Sequence, residues 1–128
     1  MNETKLQKVL AKHKKWLADE EGGEFANLRG ADLMGTNLMD ANLMDADLAR
    51  ADLRGADLDY SCWPLWCGSK GVKVDRKIAA QFAAHFCALD CDDPDYITAR
   101  DAVMEFAESS HHAEELGLIE REKLCTTQ

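Results

Sequence analysis

The chain has 128 residues, a formal charge of −9 and 46% hydrophobic residues, enough for one core but too acidic overall to hold nucleic acid by net charge. No apolar run approaches the roughly 18 to 20 residues of a membrane span, and no signal-peptide pattern opens the chain. The expectation is a cytoplasmic protein that is not an enzyme, binds no membrane and needs no cofactor.

The first predicted element is a helix over residues 3–20. Leu6, Val9, Leu10, Trp16 and Leu17 recur at helical spacing, with His13 on the same face. Gly22-Gly23 breaks it, and Phe25 is placed as an apolar plug at the entry to the next segment. Lys5, Lys8, Lys12, Lys14 and Lys15 read as a solvated face of this helix rather than a nucleic-acid grip, so direct nucleic-acid binding is not expected.

Seven consecutive blocks of five residues then run from Ala26 to Tyr60. Each carries a leucine (Leu28, Leu33, Leu38, Leu43, Leu48, Leu53, Leu58) two positions after a small residue, with Asn or Asp between them. Five residues advance about 500° along an α-helix, so these leucines would spiral and make no stripe. In a straight strand an odd period alternates faces. The chain must therefore turn once per block. Within a block the small residue and the leucine point to one side, toward a core, while Asn27, Asp32, Asn37, Asn42, Asp47, Asp52 and Asp57 point out. Gly30, Gly35, Asp40, Asp45, Arg50, Gly55 and Tyr60 stand at the corners, most of them residues that tolerate a turn.

The blocks A-N-L-R-G, A-D-L-M-G and T-N-L-M-D resemble the pentapeptide-repeat family, whose pattern is A-(D/N)-L-x-x. The resemblance implies a right-handed quadrilateral β-solenoid of about two coils, four blocks to a coil, with α-helical caps at both ends. On that reading Leu28 stacks on Leu48, Leu33 on Leu53 and Leu38 on Leu58, with Trp63 of S-C-W-P-L over Leu43. The predicted layout is a capping helix and entry over 1–25, repeats over 26–65 and a helical cap over 66–128, in one compact unit.

Past the repeats, Trp63-Pro64-Leu65-Trp66 and the glycines at 68 and 71 predict an irregular exit. A helix comes next, from about Asp75 to Leu89, with Val74, Ile78, Phe82 and Phe86 on one face. Asp93-Pro94 predicts a second helix start, aspartate at the N-cap and proline in the first turn. That helix should hold Ile97, Val103 and Phe106, break at Ser109-Ser110, and lead to a left-handed Gly117. The tail after Ile119 is expected to be loose.

Function is sought in the charge pattern. The first 25 residues are neutral, while residues 26–60 carry a net −4 and the remainder a net −5. Stacked coils would set Asp32 over Asp52, with Asp47 and Asp57 on neighbouring faces. The densest acidic run is Asp90, Asp92, Asp93 and Asp95. These eight residues are the expected partner-binding set, imitating DNA phosphates toward a protein with a basic DNA-binding surface. The competing reading is that repeat Asp and Asn only solubilise the coils and bond locally near turns.

The layout is similar to small pentapeptide-repeat proteins of phages and mobile elements, and some small acidic phage proteins block host nucleases, including CRISPR complexes. An anti-CRISPR or other anti-defence inhibitor, acting in the host cytoplasm, is the first expectation. A protein that shields DNA gyrase and a structural interaction module without mimicry are the alternatives. Two coils span only about 10 Å, short for imitating a long duplex. The protein is expected to be a monomer or a homodimer joined through an end cap.

Cys62 and Cys67, and Cys87 and Cys91, form two loose pairs that admit free thiols, disulfides or a metal site. His111-His112 is read as a solvated pair, because consecutive helical residues point about 100° apart. Met34, Met39 and Met44 stand at outward positions, either covered by the first helix or offered as a contact patch.

Overall fold

A computed structural model describes residues 1–119, in two compact units that meet in sequence at Asp75 and Arg76. Unit 1 opens with α1, Glu3–Leu17, capped by the Asn2 side chain, which accepts from the Lys5 N–H at 2.8 Å. The helix stops before the predicted Gly22-Gly23 break. Asp19 already adopts φ 54°, and Gly23 lies so close to the helix that an added Cβ would meet Trp16 N at 2.5 Å.

From Ala26 the chain returns beside itself every 20 residues. Asn27 pairs in parallel with Asp47, Asp32 with Asp52, Asn37 with Asp57 and Asn42 with Cys62. All seven repeat leucines are buried, none more than 6% exposed, together with Ala26, Ala46, Ala51 and Ala56. The leucine stacking read from the period agrees with this register.

The expected β-solenoid is nevertheless corrected. Among the described residues there is no β-strand; each pairing is an isolated single-residue bridge, and the regular secondary structure is helical. The cause lies at the corners. Gly30, Gly35, Asp40, Asp45, Arg50, Gly55 and Tyr60 all take a left-handed φ between 61° and 76°, so every extended run is cut within a few residues.

Pairing continues past residue 65. Leu48 N–H donates to Gly68 O, Arg50 N–H to Lys70 O and Leu53 N–H to Lys73 O. The register shifts there by one, since Asp52 pairs with Lys73 rather than with residue 72. The extra residue falls between Cys62 and Gly68, where Pro64 is fully buried while Leu65 beside it is 92% exposed. Trp66 anchors this loop by donating its indole N–H to Ala46 O at 2.9 Å.

His13 fastens α1 to the first lap. It is fully buried, its Nδ1 accepts from Ala26 N–H at 3.0 Å, and its Nε2 lies 2.8 Å from Met44 O. Both bonds are satisfied only by the neutral ring carrying its proton on Nε2. Trp16 stacks on the imidazole and Phe25 meets both rings edge-on, so Phe25 closes the aromatic cluster while staying partly exposed.

Unit 2 pairs α2, Arg76–Cys87, with α3, Pro94–Glu108. Asp93 is the N-cap of α3, accepting from Asp95 and Tyr96 N–H, and Pro94 stands in its first turn. The helix ends at Ser109, and Gly117 adopts φ 76°. The stripe expected on α2 is only partly buried. Ile78 is covered, but Phe82 and Phe86 are 40% and 37% exposed, and the face packed against α3 is Ala84 and Cys87 on Ala107. Small residues let the helices approach closely. The larger Phe86 ring instead packs edge-on against Tyr96, whose hydroxyl lies 2.7 Å from Phe86 O. No helix among the described residues is long and apolar enough to cross a membrane.

Candidate protein-binding surface

The repeat carboxylates have a local task. At all seven positions the side-chain Oδ1 accepts the N–H two residues on: Asn27 from Arg29, Asp32 from Met34, Asn37 from Met39, Asn42 from Met44, Asp47 from Ala49, Asp52 from Arg54 and Asp57 from Asp59. Each block is thus turned by an Asx bond, which Asn and Asp make equally well. This explains why the two alternate freely in the sequence.

Asp32 does lie opposite Asp52, but the ladder is not a row of bare charges. Arg54 binds Asp52 through two nitrogens, at 2.9 Å and 2.6 Å, and the Asp52 side chain is only 18% exposed. The hydrogen bond from Arg54 holds the Asp52 carboxyl down at about 2, and Asp32 adds to the field around the guanidinium. Arg29 stands 3.9 Å from Asp47, whose side chain is 16% exposed. Two of the four expected ladder carboxylates are therefore partly covered and beside an arginine.

Unit 2 differs. Between residues 76 and 119 there are nine acidic and three basic residues, net −6. Asp90, Asp92, Asp93 and Asp95 are all exposed, in the connection between α2 and α3 and in the first turn of α3. Asp93 is engaged as the helix cap. The structure adds residues that sequence reading passed over: Asp101, Glu105 and Glu108 are exposed at i, i+4 and i+7 and so share one face of α3. The helical spacing of these acids is visible in the sequence once α3 is placed. Arg100 lies 3.2 Å from Asp101 and tempers that end of the stripe.

Met34, Met39 and Met44 are 52%, 43% and 48% exposed. The four described cysteines are free; Cys62, Cys67 and Cys91 are exposed and Cys87 is buried. Burial pushes the Cys87 thiol up, and its Sγ lies 3.8 Å from Arg100 O. Cys125 lies outside the described residues.

No curated protein and no solved structure matches the chain. Residues 24–59 match the family model of pentapeptide repeats, in eight copies, and this stretch of the chain is a pentapeptide-repeat segment.

Proposed function

We propose that this pentapeptide-repeat protein is a protein-binding inhibitor whose helical unit presents carboxylates to the DNA-gripping surface of another protein. The observation that carries the reading is the contrast in how carboxylates are used. Those of the repeats turn the chain and partly pair with arginine, whereas Asp90, Asp92, Asp95, Glu105 and Glu108 stand exposed on a unit of net −6. From Asp95 to Glu108 the helix advances about 20 Å, the length of roughly six base pairs at 3.4 Å per step. A field of that sign and extent attracts lysine and arginine side chains that otherwise hold phosphates.

CRISPR interference complexes are the first target class we propose, and DNA gyrase is the second. Labelled duplex bound to each purified target tests the reading. Displacement of DNA by the protein, weakening steeply as salt rises, supports it. A protein that binds either target without displacing DNA, or with no salt dependence, contradicts it.

A further inference from the structure

One corner of the repeat segment gathers cations, on a chain of net charge −9. Gly30 N–H donates to Ala49 O and Arg50 N–H to Lys70 O, so Arg50 and Lys70 stand side by side on neighbouring laps, with Arg29 next to Gly30 on the lap before. Laps at the strand spacing are about 4.8 Å apart. Arg29, Arg50 and Lys70 line one cleft of about 220 Å³ together with a single carboxylate, that of Asp47, 3.9 Å from Arg29. All three cations are exposed, and among the described residues neither Arg50 nor Lys70 forms an ion pair.

This arrangement costs the fold stability. Arg50 holds φ 61°, at a corner where Gly30, Gly35 and Gly55 use glycine and Asp40 and Asp45 use aspartate. A long side chain in that region is strained, and like charges facing each other on paired segments repel. Backbone strain of this kind clusters at ligand sites. The walls of the cleft are set by close approach. The Arg50 stem passes Gly71, where an added Cβ would meet Arg50 Cγ at 3.4 Å. Gly68 lies against the Trp66 ring with no room for a Cβ, and the Trp66 indole N–H is already held by Ala46 O.

We propose that Arg29, Arg50 and Lys70 bind a phosphoryl dianion, either inorganic phosphate or the phosphoryl group of a small monoester. Guanidinium groups meet phosphoryl oxygens through paired N–H donors, and the lysine ammonium adds a point charge. Three cations beside one carboxylate leave the cleft an excess of two positive charges, which a dianion neutralises. At about 30 Å³ per water the cleft holds a phosphoryl group with part of its hydration. It is smaller than the roughly 300–1,000 Å³ of sites that enclose larger ligands, so an ester's organic part projects into solvent. The site lies in the repeats and is independent of the acidic surface of the helical unit and of that surface's target.

The test is an NMR titration of the full chain with inorganic phosphate and, separately, with phenyl phosphate, at about pH 8 where both are dianions. Sodium chloride at equal ionic strength is the reference. Saturable shifts are expected at the amides of Arg50, Gly68 and Lys70, half-complete at about 1 mM or below. Tighter binding of phenyl phosphate would assign the site to an ester, and equal or tighter binding of phosphate to the free anion. Arg50→Gly should weaken binding at least roughly tenfold, the size of a lost charge-assisted hydrogen bond, yet keep the fold because glycine suits φ 61°. Lys70→Gln should also weaken it, whereas Lys8→Gln on α1 should not. Shifts that sodium chloride reproduces, shifts that never saturate, or unchanged binding in folded Arg50→Gly would each overturn the proposal.

Discussion

The two units use the same side chain for different ends. In the repeats an aspartate is a turn-former: its Oδ1 accepts a backbone N–H, and asparagine does the same at three of seven positions. In the helical unit, Asp90, Asp92 and Asp95 stand exposed around the start of α3. Acidity in a repeat array is therefore weak evidence of a binding surface, whereas acidity on an irregular connection and a helix face is stronger.

The largest effect that sharpens this contrast is on the repeat core. Leu53→Ala should cost about 2–5 kcal/mol, because the fully buried side chain leaves a cavity between laps. Chemical denaturation measures it, and a loss below about 1 kcal/mol would mean that the laps collapse around the gap. Next comes His13→Ala, which strips Ala26 N–H and Met44 O of their partner under α1. A loss of about 1–3 kcal/mol is expected, with α1 the first element to exchange its amide hydrogens.

In the helical unit, Asp93→Ala should cost about 1 kcal/mol through the lost N-cap, with thermal melting as the readout. Its neighbour Asp92→Ala, which caps nothing, should leave melting unchanged. The smallest effect is at Asp52. Asp52→Asn keeps the turn bond but gives up the ion pair with Arg54, so it lowers stability slightly at neutral pH, while Asp52→Ala loses both and destabilises more. Because the folded carboxyl sits at about 2, below its ordinary 3.8, its stabilising contribution is complete above pH 3.8 and is lost as pH falls toward 2. The acid limb of the pH–stability curve should therefore be shallower in Asp52→Asn than in the parent.

Much of the fold is legible in the sequence because it is written as a period. Seven leucines at a spacing of five exclude a straight helix and a straight strand, and all seven are buried as that argument requires. What the period does not show is that the corners are too close together for strands. Each left-handed residue leaves room for one bridge only, so the family-level expectation of a β-solenoid fails on backbone geometry. The Asp93-Pro94 start is equally readable, because capping is local. The α2 stripe misleads because large apolar residues outweigh small ones in a periodicity, while the helix contact is built from Ala84, Cys87 and Ala107.

The candidate surface is half legible. Composition picks out Asp90 to Asp95, but sequence does not say that Asp52 is held by Arg54 or that Asp47 has Arg29 nearby.

The most direct test compares two variants that each remove four charges. One carries Asn at Asp32, Asp47, Asp52 and Asp57, keeping every turn bond; the other carries Asn at Asp90, Asp92 and Asp95 and Gln at Glu105, keeping the Asp93 cap. Each is titrated against a target bound to labelled duplex DNA. The account predicts that the repeat variant still displaces DNA at near-parent concentrations and that the helical-unit variant loses displacement at least tenfold. Loss in the repeat variant with retention in the other would contradict it.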